Sequence, residues 1–121
     1  MLKQFDTTKF HDYRNVVITK TLLDTGMRIG ECLSMKPDHI DFIHRSILVV
    51  NPKNKQQRYV YFSPKLSLEI KNWLKYHDRY SNSEYLFPTT KGTQLDIRNF
   101  EKALREAGKR VDVEIHPSAT Q

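Results

Sequence analysis

Apolar positions along the chain fall into blocks separated by polar turns. Between Asp12 and Asp24 they fill a helix-length segment. Its VVIT stretch at 16–19 is β-branched and would also suit a strand. Length, and the terminating Gly26, suited to a left-handed cap, favour helix. A second, short helix is expected from about Ile29, with Ile29, Cys32 and Leu33 at helical spacing, and Pro37-Asp38 starts another turn carrying Ile40 and Phe42. At Ser46–Val50 the pattern changes, because SILVV is short, apolar and β-branched and so predicts a strand. NPKNKQQ follows with turn composition, and then RYVYF, where Tyr59 and Tyr61 alternate with Val60 and Phe62. Two such strands around a polar turn predict a β-hairpin with a basic tip.

Ser63-Pro64 opens the next helix, with serine as N-cap and proline in the first turn. Leu66, Ile70, Trp73, Leu74 and His77 share its buried stripe, which ends near Tyr80; His77 reads as a helix-end histidine rather than a ligand. Tyr85-Leu86-Phe87-Pro88 is a short apolar stop, and TTKGTQ is a turn. Asp96 caps a last long helix with Ile97, Phe100, Ala103, Leu104 and Ala107 inward. Arg98, Lys102, Arg105, Lys109 and Arg110 decorate its remainder and its exit, the usual look of a solvated face. The pattern therefore predicts an α+β fold, mostly helical with a small antiparallel sheet, in a single domain over residues 1–121.

Composition narrows the function. Twenty Lys and Arg against fourteen acids leave a formal charge of +6, which suits a polyanionic partner, nucleic acid above all, and equally a surface kept basic for solubility. A lone cysteine, Cys32, excludes an intramolecular disulfide, offers no metal-ligand spacing and suits a buried inert thiol. The amino end MLKQFDTTKFHDYRN lacks the apolar core of a signal peptide, and the longest aliphatic run, Ile47–Val50, is far short of a membrane span. A cytoplasmic protein with no membrane contact, metal or cofactor is expected.

The position that stands out is Arg28, between Met27 and Ile29 in the turn that joins two core-forming helices. It suits a solvated loop, a helix-turn-helix DNA reader, or an anion site held rigid by the helices on either side. For the last, guanidinium chemistry is apt: it never deprotonates and forks two parallel N–H bonds onto phosphate oxygens, which a lysine cannot do. Glu31, three residues on, is within reach to orient that guanidinium or to cap the helix start.

TGMRIGECLSMKPDHIDF resembles the first signature of the tyrosine recombinase (phage integrase) family through Thr25, Gly26, Arg28, Glu31, Ile40 and Asp41. The similarity continues through a lysine-bearing hairpin (Lys53, Arg58-Tyr59-Val60-Tyr61-Phe62), Leu86-Phe87-Pro88, Gly92 and Ala107-Gly108-Lys109-Arg110, from about Asp12 to Pro117. This resemblance implies a partial DNA breaking-rejoining catalytic domain that acts on double-stranded DNA in site-specific recombination or integration, often for a phage or transposon. It assigns Arg28 as the first catalytic arginine and Lys53 as the lysine that protonates the departing 5′ oxygen, with Lys55 as competitor. Lys53, Lys55 and Arg58 join Arg28 as DNA-binding residues, and Glu31 supports the arginine turn. In the family a tyrosine attacks the phosphodiester, and fixed guanidinium groups meet the charge that no metal neutralises.

The family's second signature, P-H-x-L-R-(H/R), is not matched at HPSATQ, where Ser118 and Gln121 stand in place of the histidine and the second arginine. His116, before Pro117, does not restore them. None of the six tyrosines suits the nucleophile, and the core-binding domain of the family is expected to be absent. The expectation is the front part of a catalytic domain, inactive alone and prone to self-association, within a family that works as a tetrameric synapse. A non-enzymatic helix-turn-helix module and a protein-interaction remnant are the competing readings.

Overall fold

The computed structural model of the chain describes residues 7–51 and 53–112, with side chains in the second stretch as far as Ala107. Expectations placed on Lys109, Arg110 and on His116 to Gln121 lie outside those side chains. The first helix, α1, runs over Thr7–Thr25 and buries Phe10, Arg14, Val17, Ile18 and Thr21 at helical spacing. In its β-branched stretch Val17 and Ile18 are fully buried, and Thr19 and Thr21 donate their hydroxyls to the carbonyls of Asn15 and Val17, both at 2.8 Å. Gly26 ends it at φ 71°, with its N–H on the Leu22 carbonyl at 3.0 Å. That left-handed conformation strains any residue with a Cβ, so glycine is the natural occupant.

After Gly26 comes the short helix α2, Ile29–Leu33, and a 3-10 turn over Pro37–His39. The sheet has three strands, β1 (Ile40–Asp41), β2 (Ser46–Val50) and β3 (Gln57–Tyr61), antiparallel in that order. Register is set by pairs such as Ile47 with Val60 and Val49 with Arg58. The predicted hairpin is therefore present. β1 is an addition: two residues are too few to show a period of two, and the strand exists only because β2 offers its other edge.

Helix α3, Pro64–Tyr80, starts as predicted, with the Ser63 hydroxyl accepting the Leu66 N–H at 3.1 Å. It buries Leu66, Ser67, Ile70, Trp73 and His77. His77 is indeed a helix-end residue: its Nε2 lies 2.8 Å from the Tyr85 carbonyl and its Nδ1 3.0 Å from Asp78. The last helix, α4, covers Ile97–Asp112, and Asp96 accepts the Asn99 N–H at 3.3 Å as N-cap. Phe100 is buried, but Ile97 and Leu104, expected inward, are 39% and 46% exposed. Packing among the described residues covers only part of that helix's apolar face. One continuous core unites α1, α2, β2 and α3 with the Leu86-Phe87 stop.

Candidate functional site

Arg28 occupies the N-cap position of α2 in an extended conformation, φ −78° and ψ 150°. Its carbonyl accepts the Cys32 N–H at 3.0 Å, and its own N–H donates to Glu31 Oε1 at 2.9 Å. The backbone is thus tied down on both sides while the side chain is exposed. Among the described residues no carboxylate lies within ion-pair distance of the Arg28 guanidinium.

Glu31 does cap the helix start, but the guanidinium it takes belongs to Arg58. Arg58 Nη1 donates to Glu31 Oε2 and Nη2 to Oε1 at 3.0 Å, a bidentate fork between residues 27 positions apart. Glu31 is only 4% exposed. The Arg58 hydrogen bonds, helped by the Arg28 N–H, hold its carboxyl below the usual glutamate range, although burial alone would raise it. It therefore stays ionised, and an ionised buried carboxylate needs such partners.

The hairpin comes to the arginine turn from the other side. Gly26, Arg28, Asn51, Asn54, Gln56, Gln57 and Arg58 line one hollow of about 490 Å³. No acidic residue is among them. Asn51 builds the hairpin tip, its Oδ1 accepting the Lys53 N–H at 2.8 Å and the Asn54 N–H at 3.3 Å, while Asn54 Oδ1 accepts the Gln56 N–H at 3.0 Å. These Asx turns preset the tip in the absence of any ligand. Lys53 is exposed on that tip and does not line the hollow. Lys55, in the left-handed region at φ 61°, lines an adjoining hollow with Met27, Glu31 and Tyr85. Arg28 and Arg58 are thus brought to one place, and the two lysines flank it. The sequence reading passed over Asn51 and Asn54, for which the signal was the Asn-rich turn NPKN.

The remaining chemistry is quiet. Cys32 is fully buried, and burial pushes its thiol up to about 12, so it is not a nucleophile. None of the six tyrosines lines the hollow. Tyr13, Tyr76 and Tyr80 belong to an aromatic cluster around Trp73, and Tyr59 and Tyr61 stand exposed on β3. Among the described residues no group of His, Cys, Asp and Glu could hold a metal ion, and no helix is long and apolar enough to cross a membrane.

Comparison with known proteins shows the family. Residues 1–120 match the profile of the phage integrase family. The tyrosine recombinase XerC of Staphylococcus aureus is 30% identical over 116 residues, covering 93% of this chain and 38% of that protein. XerA of Saccharolobus solfataricus is 29% identical over 104 residues, covering 86% of the chain and 33% of the relative. The chain thus spans little more than a third of the length of the curated relatives it matches. Among solved structures, a XerA recombinase crystal structure superposes with a TM-score of 0.69 at 18% identity, over 95% of this chain and 46% of the other. The integrase of transposon Tn1549 in complex with circular intermediate DNA gives 0.69 at 18% identity, over 93% and 40%. At such identity the likeness establishes the fold alone.

Proposed function

The chain belongs to the phage integrase family, and we propose that it is the phosphate-gripping front part of a tyrosine recombinase catalytic domain acting on double-stranded DNA. The observation that carries this reading is the acid-free hollow where the exposed Arg28 side chain meets the hairpin. A phosphodiester brings an oxyanion that the fork of Arg28 can take bidentately, and negative charge grows on those oxygens as the bond to the leaving group breaks. Lys53, on the preset tip, is the proton donor to the departing 5′ oxygen in this reading, with Lys55 its competitor. Lys55 stands on the basic rim toward DNA, and Arg58 lines the hollow with its guanidinium held by Glu31. Site-specific recombination or integration is the activity to which these groups would contribute.

A helix-turn-helix regulator fits less well. The helix after the arginine turn has five residues, and Glu31, Cys32 and Leu33 among them are buried. It is too short and too inward to read a major groove.

The test is binding of a 30-base-pair duplex by the chain as a function of salt, with Arg28→Ala alongside. Wild type should lose affinity steeply as salt rises. The variant should bind about tenfold more weakly, with a log–log salt slope shallower by about 0.9, the share of a single neutralised phosphate. Equal affinity and slope would overturn the role given to Arg28. With a nicked duplex the complex should carry no covalent link, since no tyrosine lines the hollow; a protein–DNA adduct would refute that part.

Self-association belongs to the same reading, because Val16, Leu23, Leu68 and Leu104 leave apolar surface in water. Sedimentation should show oligomers growing with concentration. A monomer at every concentration would count against it.

A further inference from the structure

The Glu31 carboxylate accepts three hydrogen bonds, one from the Arg28 backbone and two from the Arg58 guanidinium. These donors come from different elements: Arg28 from the turn before α2, and Arg58 from β3, where it pairs with Val49 of β2. One buried carboxylate therefore joins the arginine turn to the hairpin. Arg58 lines the hollow, yet its charge is matched by Glu31 at bidentate range. The pair is close to neutral as seen by a phosphate a few ångströms away, so its share in attracting an anion is small. Geometry is what it supplies. Arg28, by contrast, has no carboxylate at ion-pair distance among the described residues, and its placement depends on the backbone that Glu31 holds.

We propose that Arg58 is a positioning residue: through Glu31 it clamps the backbone of Arg28, so that the seating of the hairpin sets where the Arg28 guanidinium meets a phosphate. This deepens, and rests on, the function proposed above. A hairpin drawn out of place would relax the Glu31 fork and loosen the arginine turn, while a ligand holding the hairpin would tighten it. Grip on phosphate and engagement of the hairpin become one coupled event.

Glu31→Gln separates this from direct phosphate contact by sign. The substitution raises the net charge by one and releases the Arg58 guanidinium, so direct contact predicts tighter duplex binding and a steeper salt slope. The clamp predicts the reverse: about tenfold weaker binding to the 30-base-pair duplex, with the slope shallower by about 0.9 because Arg28 no longer reaches its phosphate. Tighter or unchanged binding overturns the clamp, and so does weaker binding with an unaltered slope, the mark of a merely structural role. Arg58→Met should speed hydrogen exchange of the Arg28 amide by about tenfold, with Arg58→Lys, which keeps one charged donor but not the fork, in between. An Arg28 amide as protected in both variants as in wild type refutes the proposal. If wild type binds no duplex, the functional reading falls, and the exchange rates still decide the clamp.

Discussion

Trp73→Ala should lower the unfolding free energy by about 3–5 kcal/mol, the usual cost of emptying a buried aromatic site. Small domains have about 5–15 kcal/mol in all, so for a domain at the low end of that range the loss takes more than half of the total. The indole is fully buried on α3 and touches rings from three parts of the chain. Phe10 and Tyr13 of α1 lie with centroids at 5.5 and 5.1 Å, Tyr76 of the same helix as the indole at 5.7 Å, and Phe87 of the apolar stop at 5.9 Å. Its Nε1 donates to the Leu86 carbonyl at 2.7 Å, and the Leu86 N–H in turn reaches the Met35 carbonyl at 2.9 Å. Among the described residues this side chain is the one that ties α1, α3 and the 85–88 segment together by both rings and a hydrogen bond. Trp73→Phe keeps most of the volume but orphans the Leu86 carbonyl, and should cost about 1–3 kcal/mol. Urea unfolding followed by circular dichroism checks both, since the only tryptophan is the one replaced. A loss under about 1 kcal/mol for Trp73→Ala would mean that the cluster is not the centre of the core.

Which features could be read before any coordinates follows from the range of the forces that make them. The start of α3 was legible because its signal is local: a serine, a proline and then apolar residues at helical spacing. Gly26 as a helix end and the β2–β3 hairpin were legible for the same reason, as was the resemblance carried by Arg28 and its neighbours. β1 was not, because two residues hold no pattern and only a partner strand defines them. Ile97 and Leu104 keep the right period yet are only partly covered; periodicity gives a face, and only tertiary contact says how much of it is covered. Glu31 shows the limit at the site itself. Spacing put it within reach of Arg28, but its guanidinium partner is 27 residues away across a strand register. Nothing in a linear sequence ranks Arg58 above Arg28 for that carboxylate. Arg14 gave no signal at all, being one charged residue inside an otherwise ordinary helix.

That arginine supports the other large effect. Arg14 is 5% exposed, with Nε donating to Asn15 Oδ1 and Nη1 to the Pro88 carbonyl, both at 3.0 Å, and its guanidinium carbon 5.9 Å from the Phe10 ring centroid. Among the described residues no carboxylate pairs with it, and burial lowers its pKa to about 10. The folded state therefore holds the cation at a desolvation cost. What offsets it is packing of the long stem and the donor given to the Pro88 carbonyl. Two substitutions divide these contributions. Arg14→Ala removes charge, donor and stem together, and the cavity plus the orphaned carbonyl should lower stability by about 2–4 kcal/mol. Arg14→Met keeps most of the stem's volume and removes the buried charge, so relief of desolvation should balance the missing hydrogen bond and leave stability within about 1 kcal/mol of wild type. Urea midpoints at pH 7 measure both. Equal losses in the two variants would show that the charge itself, and not the stem, holds α1 against the Pro88 loop.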